Sequence, residues 1–99
     1  MKGVEIGHEM KVIHKFVKDR HNQKVGVLVG VGANGQFSIG CSKVNRSAGD
    51  TFDKDRGMEI ATKRAVMGLG NIPSSCWEDY QFFHDRCSRY FRKFDEISA

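Results

Sequence analysis

The sequence has little of several features that would place it in a specialised class. It holds one proline and three cysteines among 99 residues, and no apolar run approaches the roughly 18 residues that a membrane-spanning helix needs. The first residues, Met1–Glu5, also lack the apolar stretch of a signal peptide. With 39% hydrophobic and 28% charged residues, the composition is that of a folded chain. We expect one domain over residues 1–99, in the cytoplasm, with no membrane partner.

The three cysteines, Cys41, Cys76 and Cys87, are an odd number without a C-x-x-C pair. This excludes a paired disulfide framework and favours free thiols in a reducing compartment. Cys76 and Cys87 share a predicted helix with His84, which raises the question of a zinc site. Because the sequence lacks a second group of ligands, buried cysteines beside a surface histidine are the better interpretation. We expect neither a metal nor a cofactor.

Motifs of catalysis are also missing. The residues Gly30–Gly35 match G-x-G-x-x-G, but a dinucleotide site needs a helix after the glycines, and here a strand follows. The sequence contains no G-x-S-x-G elbow and no H-E-x-x-H pair. His14 lies in a predicted strand, and Cys41 is expected to be buried and therefore unreactive. The sequence favours a protein that is not an enzyme.

Three strands are predicted, over Met10–Lys18, Lys24–Gly32 and Gln36–Val44. Asn34-Gly35 between apolar runs is typical of a type I′ hairpin turn, and it fixes the register of the second and third strands. The predicted pairs are Gly32 with Phe37, Val31 with Ser38, Gly30 with Ile39, Val29 with Gly40 and Leu28 with Cys41. An additional strand over Val4–Glu9 would bring the sheet to four strands.

This register makes both faces of the sheet apolar, since paired residues share a face. One face is predicted to carry Leu28, Phe37, Ile39 and Cys41. The other is predicted to carry Val25, Val27, Val29, Val31 and Val44. A small antiparallel sheet usually leaves one face to water, so two apolar faces need two covers. We expect the helices to cover one face and a second copy of the chain to cover the other, giving a sheet-mediated homodimer or larger oligomer.

Two helices are predicted after the strands, which makes the fold α+β with an antiparallel meander of three to four strands. Asp50 or Thr51 is expected to cap the first helix, which runs to about Met67. A stripe of small residues predicts that this helix packs closely; the stripe comprises Gly57, Ala61, Ala65 and Gly68.

The second helix is predicted to begin at a capping box, Ser75-Cys76-Trp77-Glu78, and to continue to about Glu96. Its apolar face is the main core ridge of the predicted fold. This ridge comprises Cys76, Tyr80, Phe83, Cys87, Tyr90, Phe91 and Phe94.

The chain has sixteen Lys and Arg against twelve Asp and Glu, a net charge of +4 that favours anionic partners. One group of candidate ligand-binding residues follows the outer side of the second helix: Phe82, Arg86, Arg89 and Lys93. An aromatic ring among cations can stack a base and bind a phosphate. The alternative is a solvated face on which Asp85 pairs with Arg89 at a spacing of four.

A second basic group surrounds the first helix and comprises Arg46, Arg56, Lys63 and Arg64. Three aspartates, Asp50, Asp53 and Asp55, dilute its charge and occupy the positive end of the helix. A phosphate would therefore meet the side chains of this group rather than the backbone amides. Arg64 has the further alternatives of pairing with Asp50 or with the sheet edge.

Residues 37–65 resemble small phage-encoded proteins. In those proteins a strand that ends in a cysteine is followed by a helix of the pattern D-x-F-[D/N]-x-x-x-G-x-x-[I/L]-A-x-x-R-[A/L]. The matching residues in this sequence are Asp50, Phe52, Asp53, Gly57, Ile60, Ala61, Arg64 and Ala65. The loop departs from the pattern, because Ser42-Lys43-Val44 follows Cys41 where the relatives have His-Pro.

Among phage proteins of this build, the sequence is similar to the anti-defence proteins that inhibit Thoeris-type immunity. This resemblance implies an oligomer in the host cytoplasm that sequesters a cyclic ADP-ribose-type or cyclic-nucleotide signal without degrading it. The basic and aromatic residues near the helices and at the subunit boundary would then hold the phosphates and an adenine. The alternative function is a small module that binds nucleic acid or inhibits a host protein through the outer face of the second helix.

Overall fold

The computed structural model describes residues 10–33, 36–44, 51–68 and 71–98, of which residue 33 and residues 93–98 are described by their backbone alone. Three strands come first: β1 over Lys11–Lys18, β2 over Lys24–Ala33 and β3 over Gln36–Lys43. The helix α1 covers Lys54–Met67, and a 3₁₀ turn over Ser74–Cys76 leads into α2 over Trp77–Ser98. The predicted α+β order is therefore confirmed. The predicted strand over Val4–Glu9 and the Asn34-Gly35 turn lie outside the described residues.

The sheet is antiparallel with the order β1-β2-β3, so the most apolar strand is central. All five predicted pairs between β2 and β3 are confirmed, from Gly32 with Phe37 to Leu28 with Cys41. The turn between β1 and β2 is closed by Asp19, whose carboxylate accepts hydrogen bonds from the backbone N–H groups of His21 and Gln23 at 2.8 and 3.0 Å. Asn22 takes a positive φ of 63° there, a conformation that asparagine tolerates better than most residues.

The valine face is the side of the sheet that carries Val27, Val29 and Val31. The prediction that Val25 and Val44 also lie on this face is wrong. Both pack in the core cluster that contains Leu28 and faces α2. The reason is an irregularity in the β1–β2 ladder, where Val17 pairs with Gly26 but the next residue pairs with Lys24, leaving Val25 as the extra residue. A bulge of this kind turns a side chain to the opposite face. Val44 follows because its N–H donates to the carbonyl of Val25 at 2.9 Å.

The prediction that both helices cover one face of the sheet is also wrong. Val27, Val29 and Val31 pack with residues of α1, whereas the opposite face packs with residues of α2. The chain therefore supplies both covers of its sheet, and the apolar faces no longer require a second copy. The structure has three layers, with the sheet between the two helices.

The helix α1 lies unusually close to the sheet, as its stripe of small residues predicted. Gly57, Ala61 and Ala65 are buried against the valine face. A Cβ atom at Gly40 would collide with the carbonyl oxygen of Ala61 and the backbone nitrogen of Ala65, so only glycine fits beneath the helix. The small residues let two backbones meet where side chains would normally separate them.

The ends of α1 are fixed by a carboxylate and a glycine. The cap is Asp53, not Asp50 or Thr51, and its Oδ1 accepts a hydrogen bond from the backbone N–H of Arg56 at 3.1 Å. Thr51 precedes the helix by three residues, while Asp50 lies outside the described residues. Gly68 ends the helix as predicted, in the left-handed conformation with φ of 74°.

The helix α2 packs large side chains into spaces that glycines of β2 leave open. Phe83, Cys87 and Phe91 are buried on the predicted core ridge, and the Sγ atom of Cys87 lies only 2.6 Å from where a Cβ of Gly30 would be. The ring of Phe91 fills the corresponding space over Gly32. The two glycines of the G-x-G string therefore serve packing rather than phosphate binding. Cys76 is buried on this ridge too, Tyr80 and Tyr90 are half-buried, and the side chain of Phe94 is outside those described.

The start of α2 differs from the predicted capping box. The helix begins at Trp77, after the 3₁₀ turn, in which the N–H of Cys76 donates to the carbonyl of Pro73 at 2.8 Å. The hydroxyl oxygen of Ser75 accepts a hydrogen bond from Nζ of Lys43 at 2.7 Å, which ties the turn to the end of β3. In the part of the chain that the structure describes, no helix combines the length and the apolar character needed to cross a bilayer.

Replacing Gly40 by alanine tests the close approach of α1. The added methyl group meets the α1 backbone, which cannot move aside as a flexible side chain does, so we expect the free energy of unfolding to fall by about 3 kcal/mol. Urea unfolding followed by circular dichroism measures this change. The control is Ser38→Ala, a half-buried position on the same face of β3, where a loss below about 1 kcal/mol is expected. Equal losses in the two variants would contradict the packing described.

Candidate functional site

The predicted ligand-binding residues fall into two groups on opposite sides of the sheet. Arg56, Lys63 and Arg64 belong to α1, and Phe82, Arg86 and Arg89 belong to α2. Because the sheet separates the helices, one protomer cannot combine the two groups into one site. Of the remaining predicted residues, Arg46 lies outside the described residues, and Lys93 lies on α2 without a described side chain.

The hydrogen-bond alternation of the sheet shows which backbone groups point away from it at its two edges. The N–H of Val44 donates to the carbonyl of Val25, so odd-numbered residues of β2 bond to β3 and even-numbered ones bond to β1. A β1 residue that pairs with an odd-numbered β2 residue therefore points its backbone N–H and C=O away from the sheet. His14, the partner of Val29, is an example. By the same alternation the carbonyl of Cys41 points outward from β3.

Arg64 covers the outward carbonyl at the β3 edge. Its Nη1 donates to the carbonyl oxygen of Cys41 at 2.8 Å, in a partly buried bond. The sheet-edge alternative for Arg64 is therefore what the structure shows. This bond stabilises the contact of α1 with the sheet and blocks part of the β3 edge to strand pairing. Arg56 and Lys63 are exposed on the same helix, on the side away from the sheet.

The outer face of α2 reaches the opposite edge of the sheet, formed by β1. The carboxylate of Asp79 lies 4.0 Å from Nζ of Lys15, and Nη1 of Arg86 lies 3.5 Å from the carbonyl oxygen of His14. Phe82 comes three residues after Asp79 and four before Arg86, so it occupies the same side of the helix between these two contacts. Its side chain nevertheless is 70% exposed. An aromatic ring is therefore displayed beside the β1 edge, with a guanidinium one turn away.

Arg89 makes the ion pair that the alternative interpretation predicted. Its Nη2 lies 3.0 Å from Oδ2 of Asp85, four residues earlier, and both side chains are 67% exposed. An ion pair in this position contributes little to stability because water screens it and both side chains lose freedom. A phosphate can replace Asp85 as the partner of Arg89 without disturbing the core.

Several residues of this surface were missed by sequence reasoning. His14 and Lys15 meet α2 only because the antiparallel sheet places β1 beside it, a contact between residues far apart in sequence. Trp77 is half exposed at the start of α2 and packs edge-on against Tyr80, with ring centres 5.6 Å apart. Val12 on β1 pairs with Val31 and so lies on the valine face, yet it is 45% exposed because β1 is an edge strand. Exposed aromatic and aliphatic residues carry no local sequence signal that distinguishes them from core residues.

The three cysteines, Cys41, Cys76 and Cys87, are free thiols buried in the core. Burial raises the pKa of the Cys87 thiol to about 12. Burial also raises the pKa of Cys41 to about 12, and the neighbouring thiol of Cys76 adds to the effect. A protonated thiol is a poor nucleophile, which agrees with the predicted lack of reactivity. Among the described residues, no cluster of three or more His, Cys, Asp or Glu side chains is arranged to hold a metal ion.

Comparisons with protein-family models, with curated proteins and with solved structures give no match for this chain. The relation to phage anti-defence proteins, which depends on the motif in residues 37–65, stays a prediction.

The raised thiol pKa predicts a loss of stability at alkaline pH. Above pH 9 the thiol of an unfolded chain ionises, while the buried Cys87 thiol stays protonated until about pH 12, so rising pH favours the unfolded state across this interval. Unfolding in urea at about pH 8 and about pH 10 measures the decrease for the natural chain and for Cys87→Ala. We expect a smaller decrease in the variant, whose remaining titrating groups are the same. Equal decreases would contradict the buried state of this thiol.

Proposed function

We propose that this protein is a non-enzymatic binder of an anionic nucleotide. The base stacks on Phe82, and Arg86 and Arg89 hold the phosphates. The observation that carries the proposal is the exposure of Phe82, since a large aromatic ring on α2 stays in water, with Arg86 one turn and Arg89 two turns further along the helix. Stacking of a base on an aromatic side chain is worth about 1–3 kcal/mol, and a guanidinium binds phosphate through two parallel hydrogen bonds.

The partners of the two arginines support this role. The bond of Arg86 to the carbonyl of His14 is long at 3.5 Å, and Arg89 is held only by an exposed carboxylate. Both guanidinium groups can therefore turn to a phosphate at small cost. Arg64, by contrast, is engaged at 2.8 Å with the sheet edge and is needed there. The α2 face is thus the better ligand surface of the two basic groups.

The nucleotide that we propose is a small signal of the cyclic ADP-ribose or cyclic-nucleotide type, sequestered without being degraded. This choice comes from the resemblance of residues 37–65 to phage proteins and from the similarity to Thoeris anti-defence proteins. In that role the protein works in the host cytoplasm as a phage anti-defence protein. Sequestration requires only tight binding and slow release, which agrees with buried, protonated thiols and with the lack of catalytic motifs.

The second candidate is binding of single-stranded nucleic acid, or of a host protein, through the same face. The open position of Phe82 favours it, because single-stranded binders stack successive bases on exposed rings and follow the backbone with cations. Salt separates the two candidates. Binding through several phosphates weakens steeply between low and physiological salt, whereas a compact nucleotide depends on salt only mildly.

Isothermal titration with cyclic ADP-ribose, cyclic dinucleotides and a short single-stranded DNA, each at two salt concentrations, tests the proposal. We expect Phe82→Ala to weaken binding by at least tenfold through lost stacking, and Arg86→Gln to weaken it by a similar factor. The matched control is Arg56→Gln on α1, which removes the same charge on the opposite side of the sheet and should leave binding unchanged. An equal loss in the control would show that net charge, not the α2 face, carries the binding.

We propose that the oligomer forms through the β1 edge, since both faces of the sheet are covered within one chain. Antiparallel pairing of two β1 strands about His14 places Val12 of one copy opposite Phe16 of the other, and no lysine opposite a lysine. Val12 is 45% exposed at this edge, and the 3.5 Å contact of Arg86 leaves the edge only lightly covered. The two α2 helices then flank the seam, so Phe82 and Arg86 of both copies enclose one shared ligand site.

Light scattering measures the oligomer directly. The natural chain is expected at about twice the protomer mass of 11.2 kDa, and Val12→Lys is expected at the protomer mass, because a charge at an exposed edge opposes strand pairing. Gln36→Lys adds the same charge on β3 and should remain a dimer. A natural chain that scatters at 11.2 kDa at working concentration would overturn the edge-paired oligomer while leaving ligand binding by the single protomer to be decided by the titrations.

A further inference from the structure

Two cysteines from different elements meet inside the core layer between the sheet and α2. Cys41 lies on β3 and Cys76 ends the 3₁₀ turn before α2, 35 positions later in the sequence. Both belong to the same buried cluster, and Cys76 lies close enough to Cys41 to help raise the pKa of its thiol. Neither thiol has a role in the proposed ligand site at the β1 edge.

An adjacent contact holds the same two elements together independently. The hydrogen bond from Nζ of Lys43 to Oγ of Ser75 is 2.7 Å long. Lys43 is two residues after Cys41 on the same strand, and Ser75 directly precedes Cys76, so the two contacts are neighbours. They fix the end of β3 against the turn at two successive points.

The third cysteine provides a contrast within the same layer. Cys87 is equally buried on α2, but its sulfur lies over Gly30 of the central strand. Cys41 lies on the edge strand β3, where it pairs with Leu28 of the central strand. The geometry therefore favours one pair of the three possible pairs.

We infer that Cys41 and Cys76 form a latent disulfide pair that closes when the protein meets a low-molecular-weight disulfide. In the first step the thiolate of one cysteine attacks a sulfur of the reagent and releases one small thiol, which leaves a mixed disulfide on the protein. In the second step the thiolate of the other cysteine attacks the protein sulfur of that mixed disulfide and releases the second small thiol. The two protein thiols lose two protons and two electrons, and the reagent becomes two thiols.

Burial sets the rate of this reaction. Because both thiols are shielded by α2 and the raised pKa of Cys41 leaves little thiolate, the turn must lift from β3 before the reagent can enter. The Lys43–Ser75 bond opposes that movement. Once formed, the disulfide joins β3 to the start of α2 and holds the second cover of the sheet in place.

Incubating the native protein with oxidised glutathione, followed by intact mass and peptide mapping, tests the pair. We expect the mass to fall by two hydrogens, a linked Cys41–Cys76 peptide, and a melting temperature raised by about 5–15 °C. Cys87→Ser should behave in the same way. Cys76→Ser should instead retain one glutathione on Cys41, because the second step has no thiol, and Lys43→Met should react several times faster.

Two outcomes would overturn the inference. One is a linked peptide that contains Cys87 as the main product. The other is a natural chain that keeps its full number of thiol hydrogens after prolonged incubation in low, non-denaturing urea, where local opening is more frequent. Both readouts use the natural chain, so a variant that fails to fold does not affect the decision.

Discussion

The contact between α1 and the sheet at Gly40 is the constraint on which the three-layer arrangement depends. The central strand β2 is apolar on both faces, so each face needs a cover from the same chain. A glycine on β3 opposite Ala61 and Ala65 lets α1 approach backbone to backbone, so the buried α1 residues on the valine face are small, with larger side chains such as Phe52 and Met58 at its margin. The large aromatic residues of α2 are then free to cover the other face, over Gly30 and Gly32. Small and large residues are thus divided between the two layers.

This division also separates the charged residues. Arg56 and Lys63 of α1 and Arg89 of α2 are exposed, and one further arginine of each helix bonds to a carbonyl at an edge of the sheet, Arg64 to Cys41 and Arg86 to His14. The first bond is short and partly buried, and the second is long and exposed, so the two edges differ in how readily they accept a new partner. The proposed ligand surface and the proposed subunit seam both lie at the loosely covered edge, near the exposed ring of Phe82.

Local patterns predicted much of the fold, and long-range packing decided the rest. Alternation and the Asn34-Gly35 signal gave the strands and the β2–β3 register, because these depend on neighbours in sequence. The helices α1 and α2 lie on opposite faces because the small residues of α1 fit the valine face and the large side chains of α2 fit the spaces over Gly30 and Gly32. No local sequence pattern predicts this fit. The bulge at Val25 was missed for a similar reason, since an irregular pair leaves the alternation of the strand unchanged. For the candidate site, helical spacing placed Phe82, Arg86 and Arg89 on one helix, and the contact of Arg86 with His14 depends on the topology of the sheet.

The order of the elements has a consequence for how the molecule opens. The β2–β3 hairpin and α1 follow one another directly in the chain, and they supply the buried residues of the valine face, with Phe16 of β1 packed beside them. Their contacts span fewer residues than those of α2 with β1 and β2, which favours early formation and late loss. The core between the sheet and α2 combines residues of β1 with residues of α2, which are far apart in the sequence. At the turn before α2, the Lys43–Ser75 hydrogen bond holds this layer to β3. Amide hydrogens beneath α2 will therefore exchange through a partial opening in which the valine layer stays intact, so the protein has two stability levels within one small core.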